Sequence, residues 1–264
     1  MDLGIAGKWA LVCGASRGLG FGCAKALSRE GVNVLMVARR ADVLQASATE
    51  LIADSARPAS AKVLFVAEDI TTEAGRAAVF AVRRDFDIVV TNAGGPPPGD
   101  FREWDRDAWI KAVDANMLTP IELIKQTVDG MAARGFGRIV NITSSSVKAP
   151  MQTLGLSNGA RSGLTGFVAG VARSSLAAQG VTINNLLPGA FDTDRIQSLM
   201  QGTSEKTGQS MQSVADARRK NIPAGRFGTP EEFGAICAFL CSVHAGYMTG
   251  QNVLADGGAF SGTF

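Results

Sequence analysis

The 264-residue sequence predicts a single α/β domain built on a doubly wound parallel sheet of about seven strands, with helices on both faces. Short apolar runs alternate along the chain with stretches of helical periodicity, and no linker or internal repeat divides it. The runs are apolar at nearly every position, which is typical of strands covered on both faces. Their alternation with helices predicts βαβ units. We therefore expect one domain over residues 1–264.

The elements follow in a regular order. The predicted strands are Lys8–Cys13, Val32–Ala38, Lys62–Ala67, Phe86–Thr91, Gly137–Thr143, Val181–Leu187 and Gln251–Ala255. The predicted helices are Gly18–Arg29, Asp42–Asp54, Thr72–Arg84, Trp104–Val113, Met117–Arg134, Gly159–Gln179 and Glu231–Cys241. Residues 191–222 form a polar insert, rich in Met and Gln, between the sixth predicted strand and the last predicted helix. Because long inserts in compact domains are usually functional lids or disordered, we interpret residues 191–222 as a lid on the substrate side.

Composition narrows the class of protein. With 26 basic and 24 acidic side chains, the chain has no electrostatic footprint for nucleic acid or an anionic membrane. It shows no leader and no apolar run of membrane-spanning length. The four cysteines form no C-x-x-C pair, and a single histidine is too few for a zinc site, so we expect no metal and buried free thiols. These features predict a cytoplasmic protein.

A glycine-rich turn follows the first predicted strand and opens the first helix. It reads Gly14-Ala-Ser-Arg-Gly18-Leu-Gly20. Glycines allow the backbone to approach a pyrophosphate, whose charge is stabilised by the amides at the start of a helix. At the first β-to-α turn of a doubly wound sheet, this pattern indicates a dinucleotide site.

The end of the second strand indicates which dinucleotide. An acid there binds the ribose 2′-hydroxyl of NAD, whereas this chain has Arg39 and Arg40, with Arg17 in the facing turn. Guanidinium groups suit a 2′-phosphate. The sequence thus predicts that NADP(H) is preferred over NAD(H).

Several further motifs occur in a characteristic order. They are Asn92-Ala-Gly94, Asn116, Gly137-Arg-Ile-Val-Asn-Ile-Thr-Ser144, Pro188-Gly189, and Tyr247-Met-Thr-Gly-Gln251 ahead of Asp256-Gly-Gly258. Together with the glycine turn they resemble the short-chain dehydrogenase/reductase family, most closely its 3-oxoacyl-(acyl-carrier-protein) reductase branch. The resemblance covers essentially the whole chain. It implies a Rossmann-type domain that binds a nicotinamide nucleotide and forms a homotetramer, or a homodimer.

The resemblance also implies which residues hold the cofactor. The phosphates would contact Gly14, Ser16, Arg17, Gly18, Leu19 and Gly20, and the 2′-phosphate Arg39 and Arg40. The adenine would contact Asp69 and Ile70, and the ribose Asn92, Ala93 and Gly94. Pro188, Gly189 and Thr193 would border the nicotinamide.

The catalytic positions depart from the family pattern. The family uses Asn, Ser, Tyr and Lys, and Asn116 and Ser144 match the first two. At the expected spacing, Ser157 and Arg161 stand where Tyr and Lys would be, and Thr165-Gly-Phe167 fixes that register. A serine hydroxyl is a far weaker acid than a phenol with a pKa of ~10.

An altered proton donor follows from this departure. Arg161 can stabilise an oxyanion but is a poor proton donor. Lys148, four residues after Ser144, is our candidate general acid, and a water relayed by Ser157 is the next. A solvated loop lysine is the alternative interpretation of Lys148.

Three hypotheses about function remain open. The first is an NADP(H)-dependent reductase of a ketone or aldehyde, with a small carbonyl or alcohol substrate. The second is a nucleotide-binding sensor or scaffold subunit that has lost catalysis, and the third an isomerase or dehydratase. Acyl carrier protein is a candidate partner, for which Arg218-Arg219-Lys220 could supply a basic patch; a solvated helix end explains these charges equally well.

Overall fold

The computed structural model describes residues 1–263 as one seven-stranded sheet flanked by nine α-helices. The strands are Trp9–Cys13 (β1), Asn33–Ala38 (β2), Val63–Ala67 (β3), Ile88–Thr91 (β4), Gly137–Ile142 (β5), Val181–Pro188 (β6) and Asn252–Ala255 (β7). The helices are Gly18–Arg29 (α1), Ala41–Ala53 (α2), Glu73–Val82 (α3), Arg106–Val113 (α4), Thr119–Ala133 (α5), Gly155–Val171 (α6), Asp194–Thr207 (α7), Met211–Lys220 (α8) and Pro230–Cys241 (α9).

The sheet topology confirms the predicted fold. All neighbouring strands are parallel, in the order β3-β2-β1-β4-β5-β6-β7. Strand order reverses between β1 and β4. In open α/β sheets, ligands bind outside the carboxyl ends of the strands at such a reversal. The turn after β1 and the loop after β4 both lie at this point.

Two apolar layers cover the faces of the sheet. In β1, Leu11 packs into the layer that contains residues of α3, α5 and α6, while the next residue, Val12, packs into the layer formed with α1, α2 and α9. Both side chains are fully buried. Successive strand residues point to opposite faces, so burial on both sides explains why these strands are apolar at every position.

A ladder of polar side chains crosses four strands inside the sheet. The Thr91 hydroxyl donates to Asn141 Oδ1 (2.8 Å), Asn141 Nδ2 to Asn185 Oδ1 (3.1 Å), and Asn185 Nδ2 to Asn252 Oδ1 (2.8 Å). These residues are direct partners in the register of β4, β5, β6 and β7. The asparagine ladder therefore fixes the register of these four strands.

Two predicted elements differ from the structure. Helix α6 ends at Val171 instead of Gln179. After this residue, the amides of Arg173 and Ser174 donate to the carbonyls three residues earlier, as in a 3₁₀ turn, and the α-helical pattern stops. Residues 191–222, interpreted from the sequence as a polar insert with no helix assigned, contain α7 and α8. These helices are stabilised by a small apolar cluster of their own, made of Ile196, Met200, Val214, Ala215, Ile222 and Phe227.

All four cysteines are free and buried, as predicted. Burial raises the pKa of the Cys13 thiol to about 12, so this group is neutral and unreactive in the folded protein. Across residues 1–263, no three His, Cys, Asp or Glu side chains are placed to hold a metal ion. Over the same residues, every helix is too short or too polar to cross a bilayer.

Candidate active site

The glycine turn after β1 folds tightly against the start of α1. Gly14 and Gly18 have φ of +59° and +57°, a region that L side chains rarely occupy. A Cβ atom on Gly20 would lie 2.2 Å from the Gly14 carbonyl oxygen, and one on Gly14 would lie 2.6 Å from Nδ2 of Asn92. The turn thus requires glycine, and it brings together the loops that follow β1 and β4.

The first turn of α1 is open. Its N-terminal flanking residue is Arg17, whose side chain cannot accept a hydrogen bond from the first-turn amides. Helices α2 and α7 also begin without a side-chain cap, at Arg40 and Thr193. Uncapped amides at a helix start are suited to an anionic group, so the residues present fit the pyrophosphate of a dinucleotide.

The arginines predicted to recognise the 2′-phosphate lie at the end of β2. Arg40 donates to Asp42 at 2.9 Å and is exposed, as is Arg39. Arg17 instead forms an ion pair with Asp194 of α7 at 2.7 Å. This pair connects the glycine turn to the insert across the crevice.

The other predicted cofactor residues surround the same crevice or its floor. The Asp69 carboxylate accepts hydrogen bonds from the amide and hydroxyl of Thr71, and Ile70 is buried in the core. The Gly189 amide donates to the Ala255 carbonyl, directly after Pro188 ends β6. Thr193 lies beside the glycine turn. A Cβ atom placed on Gly18 would be 3.4 Å from the methyl group of Thr193. Ser16, Leu19, Ala93 and Gly94 lie in the turns after β1 and β4 or at the start of α1.

Four of the predicted catalytic residues, Asn116, Ser144, Ser157 and Arg161, meet around α6. Asn116 is buried in a π-helical turn between α4 and α5, and its Nδ2 donates to the Ala112 carbonyl at 3.1 Å. Ser144 caps the short turn 145–147, accepting from the Ser146 amide at 3.1 Å. Both turns pack against α6, the helix that carries Ser157 and Arg161.

Ser157 and Arg161 form a pair on α6. Arg161 Nη1 donates to Ser157 Oγ at 2.7 Å, which is the i, i+4 geometry of one helix face. Ser157 is buried and Arg161 is half-buried. Desolvation, and then the charge of Arg195, lower the pKa of Arg161 to about 10, so its guanidinium is still charged at neutral pH. The pair places a fixed positive charge behind a hydroxyl group.

Lys148 ends the turn that begins at Ser144. Its ammonium group lies 5.7 Å from the centre of the Phe260 ring and its side chain is half-buried. Within residues 1–263 it forms no ion pair, and its nitrogen makes no side-chain hydrogen bond to Ser144 or Ser157. The structure thus brings Ser157 and Arg161 into contact and leaves Lys148 separate from them.

Sequence reasoning missed Arg195. This residue of α7 donates to the carbonyl oxygens of Gly95 (3.1 Å) and Pro96 (2.7 Å) and lies beside Arg161. Desolvation lowers its pKa as well. Its position two residues after Thr193, at the start of the insert, was the available signal.

An uncapped helix start at the strand-order reversal of a doubly wound sheet is typical of dinucleotide-binding α/β proteins. Residues 14–259 match the protein family described as Enoyl-(Acyl carrier protein) reductase. The chain belongs to the short-chain dehydrogenase/reductase family.

Its relatives include reductases of acyl substrates. The acetoacetyl-CoA reductase of Cupriavidus necator is 36% identical over 180 residues, covering 67% of this chain and 68% of that protein. The 3-oxoacyl-[acyl-carrier-protein] reductase FabG of Vibrio harveyi is 32% identical over 261 residues, covering 98% and 99%.

A solved structure shows the same fold. L-sorbose reductase from Gluconobacter frateurii, complexed with NADPH and L-sorbose, superposes with a TM-score of 0.92 at 28% identity. The alignment covers 99% of this chain and 100% of that one. Fold and relatives together make this chain a member of a family of carbonyl-reducing oxidoreductases.

Proposed function

We propose that this protein is an NADPH-dependent reductase of a ketone or aldehyde whose proton does not come from tyrosine. The observation that carries the proposal is the 2.7 Å contact between Arg161 and Ser157, at the spacing where the family has Tyr and Lys. The turns of Asn116 and Ser144 pack on the same helix. Intact surroundings around a changed pair favour altered chemistry over lost chemistry.

The preference for NADPH rests on charge at the end of β2. Arg39 and Arg40 are exposed there, and the only nearby acid in the sequence, Asp42, is already paired with Arg40. A 2′-phosphate would gain two guanidinium contacts at this position. The L-sorbose reductase with the same fold is complexed with NADPH, which supports this choice.

The chain's residues would act on the oxygen of the substrate carbonyl. When bound, NADPH supplies the hydride that adds to the carbonyl carbon. The Ser144 and Ser157 hydroxyls would donate hydrogen bonds to the carbonyl oxygen. Because Ser157 Oγ already accepts from Arg161, its own proton is free to point outward, and the guanidinium charge stabilises the developing oxyanion.

Proton delivery is the step that tyrosine would otherwise perform. In this proposal Lys148 holds the proton at Nζ and passes it to the substrate oxygen, directly or through a water at Ser157. Its location at the end of the Ser144 turn supports this role.

The test is NADPH consumption by purified protein with β-ketoacyl thioesters, cyclic ketones and aldehydes, alongside NADPH fluorescence to measure binding. We expect turnover, and a drop in kcat of about 10²-fold or more in Lys148→Ala. The matched control is Lys62→Ala, an exposed lysine just before β3 at the opposite edge of the sheet. An unchanged kcat and pH profile in Lys148→Ala would eliminate this lysine as donor.

The second candidate is a nucleotide-binding sensor or scaffold subunit, favoured by the replacement of both Tyr and Lys. It predicts NADPH binding without turnover across the panel. Failure to bind NADPH would contradict both candidates.

Assembly and coverage of the site are part of the same proposal. We expect a homotetramer, or a homodimer, since Phe239, Val243 and Tyr247 near the last helix and strand are large exposed apolar side chains. Residues 191–222 would act as the lid. An acyl carrier protein would have to dock beside Arg218-Arg219-Lys220, where Arg219 is already paired with Asp216. Light scattering of the purified protein tests the assembly.

A further inference from the structure

Two arginine side chains from different elements meet beside the loop that follows β4. A Cβ atom placed on Gly95 would lie 3.3 Å from Nη2 of Arg195 and 3.6 Å from Nη2 of Arg161. Both guanidinium groups therefore lie against the same side of the Gly95 backbone. Arg161 is fixed by Ser157, and Arg195 by the carbonyls of Gly95 and Pro96, so neither group is free to move away without losing hydrogen bonds.

No carboxylate neutralises this arginine pair. Within residues 1–263, neither guanidinium has an Asp or Glu oxygen within 4.0 Å. The acids next to Arg195 in sequence are engaged elsewhere, since Asp194 pairs with Arg17 and Asp192 accepts from Gln197. Arg161 is half-buried and Arg195 is exposed, and desolvation lowers the pKa of both guanidinium groups.

Two like charges held side by side repel each other, and this arrangement costs stability unless an anion offsets it. Both guanidinium groups retain N–H donors after their protein contacts are counted, because each group has five. A carboxylate matches this geometry, as each of its oxygens can accept from one guanidinium.

We propose that the arginine pair binds a carboxylate of the substrate, so that the compound reduced at this site is an oxo acid. This inference rests on the proposed reductase function and names its substrate class. Arg161 contacts Ser157, so a carboxylate between the two arginines would place the neighbouring ketone next to the Ser157 hydroxyl. Hydride from NADPH forms the new C–H bond, the C=O π electrons move to oxygen, and that oxygen takes one proton. NADPH becomes NADP⁺ and the carboxylate is unchanged.

The first test compares acids with their neutral esters. The probes are 2-oxobutanoate, 3-oxobutanoate and 4-oxopentanoate, each against its methyl ester, with NADPH as reductant. We expect kcat/KM for at least one acid to exceed that for its ester by about 10-fold to 100-fold, the usual worth of hydrogen bonds to a charged group. Equal efficiency for acids and esters would overturn the inference and leave the reductase function standing.

The second test removes one arginine. In Arg195→Gln, KM for the preferred acid should rise by about 10-fold or more, and by a clearly larger factor than KM for the ester. The matched control is Arg84→Gln, an exposed arginine ahead of the amino end of the central strand β4, whereas the arginine pair lies beside the loop at its carboxyl end. Circular dichroism melts establish that both variants fold. Equal losses for acid and ester in Arg195→Gln would mean that the residue only supports the loop.

The third test does not depend on turnover. Calorimetry should detect malonate binding to the NADP⁺-saturated protein and to Arg84→Gln, with its loss in Arg195→Gln. If no ketone is reduced but malonate binds in this pattern, the proposed function fails and the carboxylate site stands. If malonate does not bind, or if Arg195→Gln weakens NADPH binding as much as malonate binding, the inference is wrong and the pair belongs to the cofactor site.

Discussion

The helix starts of this protein fall into two groups. Helices α3, α4, α8 and α9 begin with a side chain that accepts from a first-turn amide: Thr72, Asp105, Ser210 and Thr229. Helices α1, α2 and α7 begin at Arg17, Arg40 and Thr193 without any such cap. Helices α5 and α6 continue directly from preceding helical turns.

The capped helix starts contribute to stability, whereas the uncapped starts are the ones predicted to contact the cofactor. A cap stabilises a helix by satisfying amides that would otherwise need water. The three uncapped starts are those whose flanking residues were predicted to contact the cofactor. Two of those residues are arginines, which add positive charge where the helix already has its positive end. An uncapped start that also carries a cation is suited to receive an anion from outside.

The largest effect should come from capping the start of α1. In Arg17→Asp, the new carboxylate would accept from the first-turn amides and repel phosphate. We expect NADPH affinity to fall by about 100-fold or more, because several charge-assisted hydrogen bonds are lost together. Fluorescence titration measures the effect, with Arg84→Asp as the control for charge. A loss of less than threefold would contradict the assignment of this start to phosphate.

A smaller and more selective effect should follow at the start of α2. In Arg39→Ala and in Arg40→Ala we expect NADPH affinity to fall by about 10-fold each, with NADH affinity unchanged, since only NADPH carries the 2′-phosphate. Titration of each variant with both nucleotides gives the ratio of NADPH affinity to NADH affinity. Parallel losses for the two nucleotides would show that these arginines do not distinguish them.

Removing a cap should lower the stability of the protein and leave its NADPH affinity unchanged. Thr229 accepts from the Glu232 amide at 3.2 Å, and Glu232 accepts in return from the Thr229 amide at 2.8 Å. Removing this cap in Thr229→Ala should lower the free energy of unfolding by about 1 kcal/mol. Urea denaturation measures it, and NADPH affinity should stay at the wild-type value. A change in NADPH affinity would contradict the distinction between capped helix starts, which stabilise the fold, and uncapped ones, which are predicted to contact the cofactor.

The smallest effect concerns pH. The Arg226 guanidinium, and then the Thr229 amide, lower the pKa of Glu232 from 4.5 to about 2. A carboxyl with a depressed pKa stabilises the fold above its ordinary pKa and loses that contribution as the pH falls through its folded value. The difference in urea midpoint between wild type and Glu232→Gln should be constant near neutrality and shrink between pH 4.5 and 2. Because the Arg226–Glu232 ion pair is exposed, high salt should reduce this difference in urea midpoint.

Sequence patterns predicted the parts of the fold that depend on local order. All seven strands were placed to within about two residues, since a buried strand is recognisable from its own apolar run. The helices of the insert were missed, because their apolar positions bury against each other and not against the sheet. The end of α6 was misplaced because its last predicted turns are tight turns with helix-like composition.

In the candidate site too, local features could be predicted from the sequence and contacts between distant elements could not. The Ser157–Arg161 pair was predictable because four residues on a helix make one turn. The meeting of Arg161 with Arg195 was not, since it depends on how α7 packs over the loop after β4. The asparagine ladder was equally hidden, because each of its residues lies in a different strand.

The ladder has a consequence for local opening of the molecule. A one-residue slip of β5 or β6 would leave buried amides without partners, at a cost of about 1–3 kcal/mol for each group. Backbone amides next to Asn141 and Asn185 should therefore exchange their hydrogens with solvent only when the whole domain unfolds. Amides of α7 and α8, supported by a small cluster of their own, should exchange through local opening long before that. Exchange rates would thus divide the crevice into a floor that stays closed and a cover that opens often.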